Sequence, residues 1–483
     1  MSRVLLVNPP FYRLLGSHYN ANSLGIAYVA AVLNRHGHDA WLYNADFVNA
    51  NTYANLQKLF DGFHDYTRYF KDEDNEIWEE VVQRIIDFAP DWVGYTSYTA
   101  NLKAIDIISR KLDGRLSGVR QVIGGVHATL DCSVLMKLPA IDFAVRREGE
   151  YAMLGLVEGQ DPSTIQGVAL RGPSGLASNG DAEVIRDIDG LPFPERDKFW
   201  GLTDEEKMAV DVSYICTIRG CPYRCNYCAS PFHWKRDKTQ YRSPESVIGE
   251  MRHLKDNYWR VKKRYDFSAS ANTKAKGELI IEDNSLVYFV DDVFTVKKER
   301  VKQILHSIIE QNLQMPWKCE ARTDHLTPEI CELMKAAGCV RVKLGFESGS
   351  EQMLKKIQKD ETKDDMRKGA QMLKNAGVPF TAYFMAGFPG ETDVDLKETI
   401  EFAREIDADY YSLSVLAPYY GTKLFADLAS QGHELEKEPW EYFFHQTGKL
   451  MVNSTISRDV LTEFLALNEL NRGRDRTGAI GYV

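Results

Sequence analysis

Cys221-Pro222-Tyr223-Arg224-Cys225-Asn226-Tyr227-Cys228 places three thiols at C-x3-C-x2-C spacing directly after an apolar run, Val212 to Thr217. Thiolates so spaced wrap one loop around a cubane iron–sulfur cluster, each binding one iron, and the fourth iron keeps no protein ligand. A zinc site is the alternative; it pairs ligands as C-x2-C and takes a fourth, for which Cys216 stands five residues before Cys221. Downstream, strand-like runs recur at Leu286 to Val290, Trp317 to Arg322, Val340 to Phe346, Phe380 to Met385 and Tyr410 to Leu416. Helical patterns separate them at Ser243 to Tyr258, Lys297 to Gln311, Pro328 to Ala337 and Lys363 to Ala376. Six such βα units imply a partial (β/α)6 barrel, with chemistry at the C-terminal ends of its strands. The polar stretch Val261 to Asp283 reads as a local insertion, and Glu434 to Val483 as a mainly helical tail.

Upstream of the cysteines the same alternation occurs a first time. Val4 to Val7 reads as a buried strand ending at Asn8-Pro9-Pro10, Leu24 to Asn34 as an amphipathic helix stopped by Gly37, and Ala40 to Tyr43 as the next strand. A polar, aromatic-rich helical stretch, Asn51 to Ile86, leads to a strand at Trp92 to Tyr95 and a helix at Asn101 to Leu112. Gln121 to Ile123 then runs into Gly124-Gly125-Val126-His127, and Ile141 to Val145 into Glu148-Gly149-Glu150. This is an α/β pattern, a parallel doubly wound sheet whose ligand lies at the strand C-termini. There Gly124 and Gly125 admit close backbone approach, and Thr96, Ser97 and Thr99 offer hydroxyls. The Pro- and Gly-rich stretch between Gln160 and Trp200 reads as a linker or small hairpin, with strand-like pieces at Gly167 to Leu170 and Glu183 to Arg186. The expected domains are thus residues 1–156, a linker over 157–200, the barrel over 201–430 and a helical region over 431–483.

With 483 residues, 44% of them hydrophobic, the chain is long enough for two or three cores. A formal charge of -10 leaves no chain-wide basic surface for nucleic acid, so a small molecule or peptide is the expected substrate. No apolar stretch approaches the ~20 residues of a membrane span, and a cytoplasmic protein is expected. Eight cysteines are too few for a disulfide scaffold, and seven of them lie after residue 215, which points to metal.

The cysteine loop and the segments at the later strand ends resemble the radical S-adenosylmethionine (SAM) enzymes. Those segments are Tyr288-Phe289-Val290-Asp291-Asp292, Trp317 to Arg322, Gly345-Phe346-Glu347-Ser348-Gly349 and Gly387-Phe388-Pro389-Gly390-Glu391-Thr392. The resemblance implies a [4Fe–4S] cluster on Cys221, Cys225 and Cys228, whose open iron chelates SAM. One electron from an external donor such as flavodoxin or ferredoxin then yields a 5′-deoxyadenosyl radical. It assigns SAM contacts to Tyr227, Asp291, Asp292, Arg322, Glu347, Ser348 and Gly387.

Val7 to Pro10, Leu24 to Tyr28, Ile123 to Thr129 and Leu191 to Asp197 extend the likeness to the cobalamin-binding radical SAM enzymes, over roughly residues 1 to 430. This implies an N-terminal Rossmann-like domain carrying cobalamin, with contacts at Asn8, Pro9, Pro10, Thr96, Ser97, Thr99, Gly124, Gly125, His127, Glu148 and Gly149. The Asp-x-His-x-x-Gly motif of other cobalamin proteins is missing after Val7, and neither His18 nor His127 has ligand spacing. Arg147 stands where the pattern often has Gly. The activity implied is methylation of an unactivated carbon or phosphorus, with methylcobalamin as donor. Cyclisation or rearrangement without net methyl transfer is the alternative within the family. A non-catalytic cobalamin sensor with a structural metal site is the alternative outside it. No catalytic side chain beyond the cluster cysteines is assigned. The tyrosines Tyr410, Tyr411, Tyr419 and Tyr420 are candidates for a substrate pocket or for core.

Overall fold

Alternating apolar strands and amphipathic helices build two units in the computed structural model, which describes residues 1–17, 19–49, 63–234, 239–259, 264–265, 279–280, 286–313, 315–447 and 449–471. One unit comprises Met1–Val210, Phe232–Lys238 and Tyr419–Phe444; the other comprises Asp211–Pro231, Thr239–Pro418 and His445–Val483. His18, residues 51–62, most of the 261–283 stretch and residues 472–483 lie outside the described residues.

The first unit holds β1 (Arg3–Asn8), β2 (Asp39–Asn44), β3 (Trp92–Ser97), β4 (Arg120–Gly125), β5 (Phe143–Val145), β6 (Val168–Gly172) and β7 (Gly175–Ser178). They form one sheet in the order β2-β1-β3-β4-β5-β6-β7. The first five strands pair in parallel; β5–β6 and β6–β7 are antiparallel. Val4 to Val7 are fully or nearly fully buried, as a central strand covered on both faces must be. Chain order reverses at β1, so the loops after β1 and β3 flank the topological switch point, where sheets of this kind bind ligands. Two expectations change here. The stretch read as a linker adds β6 and β7 to the sheet, and Gly172-Pro173-Ser174-Gly175, not Glu183 to Arg186, makes its hairpin. Glu183 to Arg186 is an irregular loop, held where the Ile185 N–H donates to the buried Glu148 carboxylate at 2.7 Å.

The second unit holds β8 (Tyr214–Ile215), β9 (Val287–Phe289), β10 (Trp317–Ala321), β11 (Cys339–Glu347), β12 (Phe380–Ala386) and β13 (Tyr410–Val415). They pair in sequence, all parallel, as an open six-stranded sheet. Its helices start where side-chain caps satisfy the first free N–H groups: Ser243 and Thr327, each followed by proline, and the reciprocal pairs Thr362/Asp365 and Thr392/Asp395. Along β12, Phe380, Ala382, Phe384 and Ala386 are buried, whereas Tyr383 and Met385 are half-buried. The same alternation on β13 buries Tyr411, Leu413 and Val415 and half-exposes Tyr410, Ser412 and Ser414. One face of the sheet is therefore sealed and apolar, and the other is more polar, half-buried along much of β12 and β13 and closed around Thr381, Lys343 and Lys318. On the sealed face the Phe346 and Phe384 rings stack with centroids 5.5 Å apart; each such buried side chain contributes ~1.5–3 kcal/mol. In the tail the regular elements among the described residues between Glu434 and Asn471 are helical, three short 3-10 turns and one helix, Arg458–Ala466.

Candidate functional site

The cysteine loop leaves β8 and is fixed at several points. Asp291, buried at the end of β9, accepts hydrogen bonds from the N–H of Thr217 at 2.6 Å and of Ile218 at 2.8 Å, and from the Thr217 hydroxyl. It thus anchors the turn that leads to Cys221, and its carboxylate is engaged there and not free for the SAM contact that the resemblance assigns to it. Its neighbour Asp292 differs. It is exposed and accepts a hydrogen bond from the Ser230 hydroxyl. Within the loop, the Asn226 N–H donates to the Ile357 carbonyl and its amide to the Lys356 carbonyl, each at 3.1 Å. The Asn226 Oδ1 is buried with no hydrogen-bond partner among the described residues.

All three thiols are free. Burial raises the pKa of each, Cys221 to about 12, with Asp292 adding to the shift there. Bare, such thiols stay protonated; a bound metal cluster supplies the positive charge that converts them to ligands. Lys359 and Arg322 oppose the shift at Cys225 by their charge. Three free thiols in one loop fit a [4Fe–4S] cluster. Cys216 turns its thiol to the Ile218 carbonyl at 3.2 Å. Among the described residues no three His, Cys, Asp or Glu side chains converge to hold a single metal ion.

Beside the loop lies a charged network that the sequence pattern did not reveal. Glu361, fully buried, accepts from the Thr323 N–H at 2.9 Å and the Thr323 hydroxyl at 2.5 Å. It also pairs with Lys359 at 3.3 Å and Arg322 at 3.4 Å. Lys359 reaches Glu347 at 3.6 Å, and the Tyr227 hydroxyl faces Glu347 as well. Glu347 sits at φ 63°, a left-handed conformation uncommon outside glycine, and a Cβ at Gly345 would come within 3.0 Å of Lys359 Nζ. The Arg322 guanidinium donates to both Asp324 oxygens at 3.0 Å, to the Lys359 carbonyl at 3.0 Å and to the Asp360 carbonyl at 3.1 Å. It also lies 3.7 Å over the Tyr223 ring. Its donors are engaged inside the protein, so it positions the loop and offers no N–H for the carboxylate pairing expected of it. Ser348 is likewise internal, bonded to Thr399 and to the Ser350 N–H, and the Gly387 N–H donates to Glu391 at 2.6 Å. Tyr227, packed edge-on to Phe388 at 5.7 Å, Asp292 and Glu347 remain beside the thiols.

In the first unit the loops at the switch point divide similarly. Asn8 is buried and donates to Asn44 at 2.9 Å, and Pro9 and Pro10 are buried. The Ser97 hydroxyl donates to the Gly124 carbonyl at 2.6 Å, and Thr99 pairs with His127 Nδ1 at 2.9 Å. Burial lowers the His127 pKa to about 4, so its ring is a neutral packing partner of Thr99 and Tyr420. Gly124, Gly125, Gly149 and Thr96 stay half-open, and the Cβ-free backbone of the three glycines suits a broad ligand such as cobalamin. Gly125, at φ 92°, has a second constraint: an added Cβ would lie 2.8 Å from the Ser97 nitrogen. Gly125→Ala is expected to cost ~1–3 kcal/mol from strain and clash, read as a lowered urea midpoint. Arg147 pays a comparable strain at φ 66°, offset where it pairs with Asp181 at 2.8 Å and donates to the Phe232 carbonyl at 3.1 Å. Sequence reasoning also passed over Asp46, a buried carboxylate that accepts N–H bonds from Phe11, Tyr12 and Arg13 after β1.

An open parallel barrel with a C-x3-C-x2-C thiol loop after its first strand, joined to a doubly wound sheet with glycine loops at its switch point, defines a two-domain iron–sulfur class. Residues 215–403 match the radical SAM superfamily and residues 16–157 the B12 binding domain. The chain belongs to the cobalamin-binding radical SAM enzymes. It is 26% identical over 435 residues to an uncharacterized methyltransferase of Pyrococcus horikoshii, covering 88% of this chain and 82% of that protein. It is 25% identical over 382 residues to the anaerobic magnesium-protoporphyrin IX monomethyl ester cyclase of Rubrivivax gelatinosus, covering 75% of this chain and 63% of the cyclase. Its fold is similar to that of the radical SAM methyltransferase TsrM of Kitasatospora setae, with a TM-score of 0.64 at 18% identity over 89% of this chain and 75% of that one. Among the described residues no helix is long and apolar enough to cross a membrane.

Proposed function

We propose that the chain methylates an unactivated carbon, or phosphorus, of a small molecule or peptide. The observation that carries this reading is the pairing, in one chain, of the thiol loop with a B12-binding domain, shared along most of its length with a methyltransferase. Bound there, the cluster supplies the electron that opens SAM, and cobalamin supplies the methyl group to be transferred. The chain's own residues do the rest. Cys221, Cys225 and Cys228 hold the cluster. Arg322, Glu361 and Lys359 set the loop, and Asp291 fixes its entry. Asp292 and Glu347 offer carboxylates, and Tyr227 an aromatic face, to SAM. Gly124, Gly125, Gly149 and Thr96 form the open cobalamin cradle, and a one-electron donor such as flavodoxin or ferredoxin completes the reaction.

Anaerobic reconstitution with iron, sulfide and cobalamin, followed by SAM, reductant and substrate, should give S-adenosylhomocysteine and 5′-deoxyadenosine together. 5′-Deoxyadenosine without S-adenosylhomocysteine would instead indicate cyclisation or rearrangement, as the cyclase relative suggests. If neither product forms, the sensor reading replaces the enzyme.

A further inference from the structure

The lumen of the second unit carries a cationic group that the cluster site does not use. Register places Tyr214, Tyr288, Lys318 and Arg341 side by side on β8 to β11. The next luminal rung pairs Glu320 with Lys343, and Lys343 in turn with Thr381. Lys318 and Arg341 are therefore directly opposed like charges, with a third cation, Lys343, two residues along from Arg341. Direct cross-strand like charges are unfavourable unless a counter-charge answers them. Glu320 is already taken: it accepts from the Tyr288 hydroxyl at 2.5 Å, faces Lys343 Nζ at 3.3 Å and Tyr383 at 3.4 Å. Lys343 donates to the Tyr288 hydroxyl at 2.8 Å. Asp211 acts on Lys318 through its charge.

Lys318 is the odd member. The residue is 8% exposed, and among the described residues its ammonium has no hydrogen-bond or ion-pair partner. The Tyr288 ring, 4.4 Å away, faces it. A cation–π contact recovers a part of what a desolvated ammonium loses on leaving water. Burial, with Lys343 alongside, lowers the Lys318 pKa to about 7, as expected of an amine lacking an acceptor. Lys318 precedes Arg322 by four residues, about 13 Å of strand, so it lies well down the lumen from the strand ends that carry the cysteine loop.

We propose that Lys318, with Lys343 beside it, binds an anionic group of the substrate, a carboxylate or a phosphate, at the end remote from the reacting atom. That this anion belongs to a substrate rests on the methyl-transfer reading; that the lumen binds an anion does not. The shared chemistry is an oxyanion that accepts from two ammonium groups and displaces no existing carboxylate.

The test is calorimetric titration of the full, reconstituted chain, without SAM or reductant, with orthophosphate and separately with succinate. At least one should bind, the first marking a phosphorylated substrate and the second a carboxylate. Lys318→Met should weaken that binding by about tenfold or more, and Lys318→Arg should restore most of it. Reductive methylation of the wild-type chain, read by mass spectrometry, supplies a measurement independent of the variants' folding. The binding anion should slow modification of Lys318 and leave exposed Lys437 unaffected. The site is overturned if neither anion binds, if Lys318→Met binds like wild type, or if Lys318 is not protected. An anion effect without any 5′-deoxyadenosine formation would remove the methyl-transfer reading and keep the site. 5′-Deoxyadenosine without an anion effect would do the reverse.

Discussion

Replacing Cys225 by alanine should lower 5′-deoxyadenosine formation by at least about a thousandfold, a barrier change of roughly 4 kcal/mol, while cobalamin binding to the first unit survives. The asymmetry follows from where the residue sits. Cys225 lies in the second unit, in the loop held by Asn226 to the Lys356 and Ile357 carbonyls, and none of the half-open glycine loops of the first unit belongs to that loop. A cubane held by two thiolates loses its defined open iron, so SAM loses its chelate even if some iron remains. Iron and sulfide analysis, anaerobic product assay and the visible spectrum of bound cobalamin measure the three consequences separately. Cys216→Ala is the informative control. Its thiol faces the Ile218 carbonyl at 3.2 Å. If the metal were a four-thiolate zinc, this variant would lose metal as Cys225→Ala does. With a three-thiolate cluster it should keep its iron. Equal loss from both variants would sink the cluster assignment.

The contrast between these two cysteines shows what could be read from sequence and what could not. The triad was legible because its spacing encodes the geometry of one loop. The strands were legible because a buried parallel strand must be a continuous apolar run, and the barrel helices because Ser243, Thr327, Thr362 and Thr392 are local caps. Side-chain partners across the fold leave no such local trace. Asp291 and Asp292 are adjacent and chemically identical, yet one turns inward to the Thr217 backbone and the other outward. Only the register of β9 against β8 decides between them. Arg322 reads as a strand-end cation available to SAM, and nothing in the sequence marks Lys359 and Glu361. The fold brings them together across 37 or more residues and buries them. The hairpin after residue 167 was misplaced for a related reason. Glu183 to Arg186 has the composition of a strand but meets the Glu148 side chain, whereas β7 is a weakly apolar edge whose identity comes from pairing with β6.

That buried network makes the other large prediction. Glu361→Gln should destabilise the second unit by ~3–5 kcal/mol, because the substitution removes one charge and leaves two cations buried beside a neutral amide. The glutamine carbonyl can still accept from Thr323, as Glu361 does at 2.9 and 2.5 Å, so shape and that hydrogen bonding are preserved and the loss reports the charge. Its amide hydrogens would point toward Lys359 and Arg322, now 3.3 and 3.4 Å from a carboxylate oxygen. Arg322 retains Asp324, so the larger share of the cost falls on Lys359, whose remaining anion is Glu347 at 3.6 Å. A double-mutant cycle follows: Lys359→Met added to Glu361→Gln should recover part of the loss, so the pair costs less than the sum of the single changes. Urea unfolding with an unchanged slope measures both. The network also frames the thiol loop through Arg322 on Tyr223 and through the segment that binds Asn226. Cluster content of Glu361→Gln after reconstitution should therefore fall in step with its stability. Wild-type stability in Glu361→Gln, or strictly additive costs in the cycle, would show that the charges are screened from one another and that the loop is held by its backbone bonds alone.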